Sequence, residues 1–405
     1  MNITLVCNEY PPRPYGGIGM FVYFFAHGLN RLGHQVTVAG IWDRDTEADD
    51  EGIRVVTRAS SMGRAYIDDR RRFRDWLNTD VAANNTDIVE VPDFNGMMPF
   101  PFMKCPVVVR LQQTWSGIRL NQLKVPHPLG YLCERRTLKF HPYWIASSRF
   151  VLNYNRRIFF LKARKSQVIY NFAPPEDVVD SNLTETFRQR YDNYALFIGK
   201  VSPGKGCLDL ARAANVFLHE MPDLKLVYVG RDILVRGVRT SCLVRAIISP
   251  DIQNRVVFTG EIPRDELLSC IAAARAVVLP SHIEAFSLTP LEAFRRGVPV
   301  IYTNRASGPE VIQHGVNGIL VNPSEPLEIA RAVSLVLTNR TVAESLVTAA
   351  RRCLLEHFTL ERCLAKTLDF YTELLTARYH SERGEPGFQG GKTCCAGHES
   401  VPMVK

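Results

Sequence analysis

Runs of four to seven mainly apolar residues recur along the chain, separated by longer stretches with apolar positions three and four apart. In the first half these runs are Ile3–Val6, Val36–Ala39, Ile53–Val56, Ile88–Val91, Val107–Leu111 and Tyr143–Ala146. In the second they are Tyr194–Gly199, Leu224–Gly230, Val256–Gly260, Ala276–Pro280, Val298–Tyr302 and Gly318–Val321. Continuous apolar character, rather than strict alternation, marks strands buried on both faces, as in a parallel sheet covered by helices. An amphipathic helix is predicted near 18–32. Another is predicted at 359–377, where Leu360, Leu364, Leu368, Tyr371 and Leu375 share one side. Two such series predict an α/β protein with two Rossmann-like, doubly wound parallel-sheet domains facing a central cleft.

The pattern breaks between Asn171 and Asn193, at Pro174-Pro175 and a polar, acidic stretch. This places the domains at 1–172 and 173–358, with the 359–377 helix packing back toward the first. Residues 378–405, poor in apolar pattern, are expected to be a disordered tail. The 405 residues are 46% hydrophobic and 22% charged, which rules out wholesale disorder. No apolar run is long enough to span a bilayer. Met1–Val6 enters a strand pattern without a basic leader, so a cytoplasmic protein is expected. The ten cysteines form no CxxC pair, and Cys394-Cys395 falls in the tail. Neither a zinc site nor a redox motif is therefore expected.

The net charge of +8 changes the picture for one half only. Residues 1–172 hold 23 Lys and Arg against 15 Asp and Glu, whereas the remainder holds 26 of each. The first half should therefore meet something anionic. Arg70–Arg74 and Arg156–Lys165 mix basic and large apolar residues, which suits an anionic membrane surface such as the inner face of the cytoplasmic membrane. A solvated helix with its aromatics turned to the core is the alternative. No nucleic-acid-binding module is recognisable.

Three loops carry candidate chemistry. Gly16-Gly17-Ile18-Gly19 opens the first long helix, where glycines expose backbone N–H groups to a ligand, or simply make a turn. Gly199-Lys200 through Gly204-Lys205-Gly206 follows a strand and puts two lysines where a phosphate can sit. It nearly spells a P-loop, but Gly206 stands where a magnesium-holding Ser or Thr belongs. After the strand ending at Pro280 comes Ser281 to Phe294, which holds Glu284, Phe286, Ser287, Leu288 and Glu292. Thr289 and Glu292 have capping-box spacing and Pro290 suits a first helical turn, so a helix start should aim amides into the crevice. Glu292 is accounted for by that cap as readily as by a ligand; Glu284 is not.

Glu284 and Glu292, with seven residues between them, and Pro290-Leu291-Glu292-Ala293 leading to Gly297-Val298-Pro299-Val300-Ile301, resemble the E-x7-E region of the family 4 glycosyltransferases. Gly16-Gly17, Gly199-Lys200 with Lys205-Gly206, Val256–Gly260, and Gly308-Pro309-Glu310 with Gly315–Gly318 match that family's other motifs in order. The resemblance spans about 1–376. It implies the GT-B fold and a retaining, metal-independent transfer from a UDP- or GDP-linked sugar to a glycan or lipid-linked acceptor, as in polysaccharide, lipopolysaccharide or glycolipid synthesis.

Carried onto this sequence, the resemblance implies that Lys205, helped by Lys200, meets the donor diphosphate. Glu284 would hold hydroxyls of the sugar and Glu292 those of the ribose. Backbone amides at Phe286, Ser287 and Leu288 would meet phosphate or sugar, and Gly17 would approach across the cleft. The chain departs from the family in having Lys200 for Arg, Ala285 and Ser287 for Gly, and Gln112 for a histidine near the sugar. Gln112 can hydrogen-bond a hydroxyl but cannot titrate. A non-catalytic nucleotide-sugar-binding or scaffold protein of the same fold is the rival expectation, and a P-loop-like ATPase a second.

Overall fold

The computed structural model describes residues 1–12, 16–61, 66–102, 104–121, 124–175 and 180–382. Cys394-Cys395 and the expected tail from 383 onward lie outside the described residues. The first sheet has eight strands in the spatial order Thr46–Asp50, Ile53–Ala59, Gln35–Trp42, Asn2–Val6, Ile88–Pro92, Val107–Leu111, Tyr143–Ala146 and Lys165–Val168. All neighbours run parallel except Thr46–Asp50, which pairs antiparallel with Ile53–Ala59. The second sheet is wholly parallel, in the order Val256–Gly260, Lys225–Val229, Tyr194–Ile198, Ala276–Leu279, Val300–Thr303 and Ile319–Val321. In chain order these six read 3-2-1-4-5-6. The direction reverses between Tyr194–Ile198 and Ala276–Leu279, the place where sheets of this kind bind ligands.

Helices cover both faces of each sheet. In the second domain, Leu210, Phe217 and Val333 seal one face, and Ile271, Leu291 and Phe294 the other. The helix Ser181–Tyr191 adds Phe187 and Tyr191 to that second face. The chain crosses between domains twice, and the crossings lie side by side, with the Ala173 N–H donating to the Phe358 carbonyl at 2.9 Å. Tyr170, just before the first crossing, packs on Phe286 and Phe358.

After the second crossing, the helix Leu360–Glu382 lies on the first domain and runs on past Arg378, where the apolar pattern stops. Leu360, Leu364 and Phe370 join Phe21, Phe25 and Leu29 of the helix Gly17–Arg31. A Cβ on Gly28 would stand 2.7 Å from a Leu364 methyl, so a side chain there would make Leu364 repack. The contact also carries a buried ion pair. Arg110 spans Glu90 at 2.5 and 2.8 Å, while Thr367 and Tyr371 of the returning helix bond to the pair at 3.3 and 2.6 Å. Burial opposes the Arg110 charge, but Glu90 beside it more than compensates and holds its pKa above the usual value. No helix among the described residues is long and apolar enough to cross a membrane.

Candidate active site at the cleft

The two loops at the reversal point of the second sheet are stitched together. After Tyr194–Ile198 the chain makes a short turn at Pro203–Lys205 and then enters the helix Cys207–Glu220. Gly206, between them, has φ +75°, and a Cβ there would lie 1.8 Å from the Pro280 carbonyl oxygen. Glycine is thus required where a P-loop needs Ser or Thr, and the backbone of the other strand's loop fills the space. The His282 N–H donates to the Gly204 carbonyl at 3.0 Å, and His282 Nε2 meets Asp209 Oδ2 at 2.8 Å. Across this seam Lys205 Nζ lies 2.5 Å from Glu284 Oε2. The lysine is 32% exposed and the carboxylate 12%, so the pair can be reached from solvent but is partly shielded from water. Lys200 is fully at the surface and does not join it.

Glu284 is held from behind as well. Its carbonyl accepts from the backbone N–H and hydroxyl of Ser307, at 3.3 and 3.0 Å. The next carbonyl, of Ala285, accepts from Ser148 Oγ of the first domain at 2.9 Å. Glu310 completes this seam. Its carboxylate accepts the N–H groups of Arg149 and Phe150 at 2.7 and 2.9 Å, capping the first-domain helix Arg149–Phe159 from the second domain. Negative charge is favoured at a helix N-terminus, so the contact is electrostatic as well as geometric. The Phe286 side chain turns into the core, against Tyr170 and Phe358.

The expected capping box is not formed. The helix Thr289–Arg296 has Leu288 as its N-cap, with Pro290 in its first turn, and no side chain caps it through Thr289. Ser287 Oγ accepts the Thr289 N–H at 3.3 Å instead. The Glu292 side chain is thereby freed for another partner: Arg264, the first residue of the helix Arg264–Ala273, bonds Glu292 Oε1 at 2.9 Å. Glu292 is 5% exposed, so this cation offsets much of the cost of burying its charge.

On the opposite wall, Gly16 caps the helix Gly17–Arg31, and its N–H donates to Glu9 at 3.1 Å. A Cβ at Gly17 would meet no atom of the described residues within 4 Å. Gln112 leaves the end of Val107–Leu111 and is largely buried. Its loop is fixed by two buried carboxylates that have no cation. Asp93 accepts from the N–H groups of Gln112 and Gln113 and from Asn155 Nδ2; Glu134 accepts from the N–H groups of Asn95, Trp115 and Ser116. Burial pushes the Asp93 pKa up to about 7, with Glu134 adding to the rise while the three donors oppose it. Burial raises Glu134 as well.

Arg264, Ser148, Asp93 and Glu134 all shape the site without belonging to a recognisable spacing. Among the described residues, no three potential metal ligands cluster. The arginines of the basic stretch Arg70–Arg74 all have partners. Arg70 is buried and donates to the carbonyls of Tyr66, Asn95 and Gly96, because a guanidinium can satisfy a loop's carbonyls. Arg71, Arg72 and Arg74 pair with Asp68, Asp69 and Asp75.

Two α/β domains built on mainly parallel sheets give the GT-B fold. The family model for glycosyl transferases group 1 matches residues 182–353, and that for glycosyltransferase family 4 matches 15–177. The chain belongs to these glycosyltransferases and is a transferase enzyme. It is similar to an uncharacterised glycosyltransferase of Methanocaldococcus jannaschii, 28% identical over 92% of this chain and 98% of the other. It is also similar to glycogen synthase of Mycobacterium tuberculosis, 25% identical over 92% and 94%. Among solved structures, Anabaena HepE, in complex with UDP and glucose, matches with TM-score 0.69 and 17% identity over 92% and 99%.

Proposed function

We propose that the enzyme moves a sugar from a UDP- or GDP-linked donor to a hydroxyl of a glycan or lipid-linked acceptor, with retention of anomeric configuration. The observation that carries this reading is the Lys205–Glu284 pair at the reversal point of the second sheet. A cation and an anion at the mouth of such a crevice suit a ligand with a diphosphate at one end and hydroxyls at the other. Lys205 stabilises negative charge growing on the leaving diphosphate, with Lys200 and the first-turn N–H groups of Thr289–Arg296 in support. Glu284 then exchanges its lysine contact for sugar hydroxyls.

Glu292, with one oxygen already held by Arg264, offers the other to the ribose. Gly17 leaves room for the diphosphate to be approached from the first domain, and Gln112 contacts sugar or acceptor by hydrogen bond. No protein nucleophile is needed, because a donor phosphate oxygen can accept the acceptor's proton. No metal or cofactor is assigned a part in this scheme. The test is incubation with UDP- and GDP-sugars, following nucleotide diphosphate release and the anomeric proton of any product by NMR. Release with a retained anomer is expected. Binding of the donors without release, with or without acceptors, would show a scaffold instead.

A further inference from the structure

Between Trp115 and Lys165 the chain carries eleven Lys and Arg and a single acid, Glu134. That acid is 1% exposed and consumed by backbone N–H groups. This one segment therefore more than accounts for the whole net charge of +8. The contrast with the helix Tyr66–Ala83 is direct: there, four arginines stand beside four aspartates and cancel.

The segment folds into one surface. Arg119 Nε donates to the Val125 carbonyl, tying the helix Trp115–Asn121 to the loop after it. Tyr131 and Arg135, on the helix Pro128–Phe140, donate to the carbonyls of Ile158 and Phe159. Gly117 lies under Tyr154 and Ile158, so the first of these helices rests on Arg149–Phe159. Apolar side chains project from this surface: Leu120, Val125, Leu132 and Phe160 are exposed, Val125 by 80% and Phe160 by 85%. Between them stand Lys124, Arg157, Lys162 and Arg164, all exposed and none in an ion pair among the described residues.

Phe160 is the telling residue. It ends the helix Arg149–Phe159 with φ +54°, a left-handed conformation that glycine adopts cheaply and a bulky side chain does not. An aromatic ring that is both strained and in water gains nothing for the fold, and such positions are kept for contact with something else.

We infer that this face docks on an anionic phospholipid bilayer, with Phe160, Leu132, Val125 and Leu120 entering the headgroup boundary and the cations resting on lipid phosphates. Exposed aliphatic side chains between cations suit a surface that is charged outside and apolar beneath. They have no counterpart in a nucleic-acid backbone. Trp115, at the near edge, lies three residues from Gln112, so the docked face leads to the cleft. A lipid-linked acceptor would be presented there. The inference rests on that reading of the acceptor.

The test is flotation of the full chain with phosphatidylcholine vesicles, with and without phosphatidylglycerol. Binding should need the anionic lipid and weaken with salt, by about fivefold for each cation removed. Phe160→Ser with Leu132→Ser should abolish most binding, and Arg157→Ser with Lys162→Ser and Arg164→Ser should remove its salt dependence. Arg71→Ser with Arg72→Ser, on the neutralised helix, should bind like the parent. All should keep the parent's melting temperature and UDP release from soluble donor. Equal binding to pure phosphatidylcholine, no loss in either set of patch variants, or preference for an RNA oligonucleotide over vesicles would overturn the inference. Nucleotide diphosphate release without vesicle binding would sink this inference alone; absence of release from UDP- and GDP-sugars alike would sink the functional reading.

Discussion

The two walls of the cleft use carboxylates in opposite ways. On the second domain's wall, Glu284 and Glu292 each meet a cation at 2.5 and 2.9 Å. On the first domain's wall, Asp93 and Glu134 meet no cation and accept five backbone N–H groups and one side-chain amide between them. A carboxylate balanced by a lysine side chain can trade that partner for a ligand, since both partners remain solvable by the exchange. A carboxylate whose lone pairs are filled by main-chain donors has nothing to trade. It fixes a loop. The same residue type thus stays exchangeable on one wall and fixes a loop on the other.

The comparison can be tested from both sides. The largest effect is expected on the rigid wall. Glu134→Ala strands three N–H groups, that of Ser116 buried and those of Asn95 and Trp115 partly so, and should cost about 3 kcal/mol of stability in denaturant unfolding. A loss in turnover without a loss in stability would break the assignment. Next comes Lys205→Ala, which should lower nucleotide release about 10²-fold, on the scale of a lost transition-state charge contact, while the melting temperature barely moves. If turnover survives, the lysine is only a surface ion pair.

Glu310→Ala removes the second domain's hold on the first two N–H groups of the helix Arg149–Phe159, while the Ser148 cap remains. It should cost about 1–2 kcal/mol and lower turnover more than UDP affinity, because the N–H groups it binds belong to the other domain. Calorimetric UDP binding measured beside turnover gives that split. The smallest effect is expected from pH. The folded pKa of Asp93, about 7, is above its ordinary value near 4. Its contribution to stability is therefore full below about pH 4 and is lost as pH rises through about 7. Stability should fall by about 1 kcal/mol from pH 6 to 8, and Asp93→Asn should flatten that decline.

Burial on both faces writes a strand into sequence as an unbroken apolar run, and that is why all twelve such runs correspond to strands of the two sheets. The two missed strands of the first sheet lie at its edges. Thr46–Asp50 reads Thr-Glu-Ala-Asp-Asp and is largely exposed, while Lys165–Val168 is only half-buried, so neither carries the signal. The loops at the reversal point were legible because glycines and charges at strand ends stand out against an apolar background. The pairing of Arg264 with Glu292 was not. The two are 28 residues apart on separate helices, and no local spacing encodes their approach. Nor could spacing show that Arg70 would be swallowed by carbonyls while Arg157 and Arg164 stay at the surface. The difference lies in four neighbouring aspartates and a loop that needed donors.

The returning helix Leu360–Glu382 has a consequence for the order in which the protein can be built. The segment that covers Phe21 and Phe25 is synthesised only after the whole of the second domain. On the ribosome, the domain that emerges first must therefore wait with an apolar strip uncovered and with Glu90 and Arg110 lacking Tyr371. The domain that emerges second has all its strands in hand and can close before it. Nascent chains of this enzyme should thus reverse the usual N-to-C progression of domain folding. The interval between the two events is when an unfinished molecule is most open to chaperones and to aggregation.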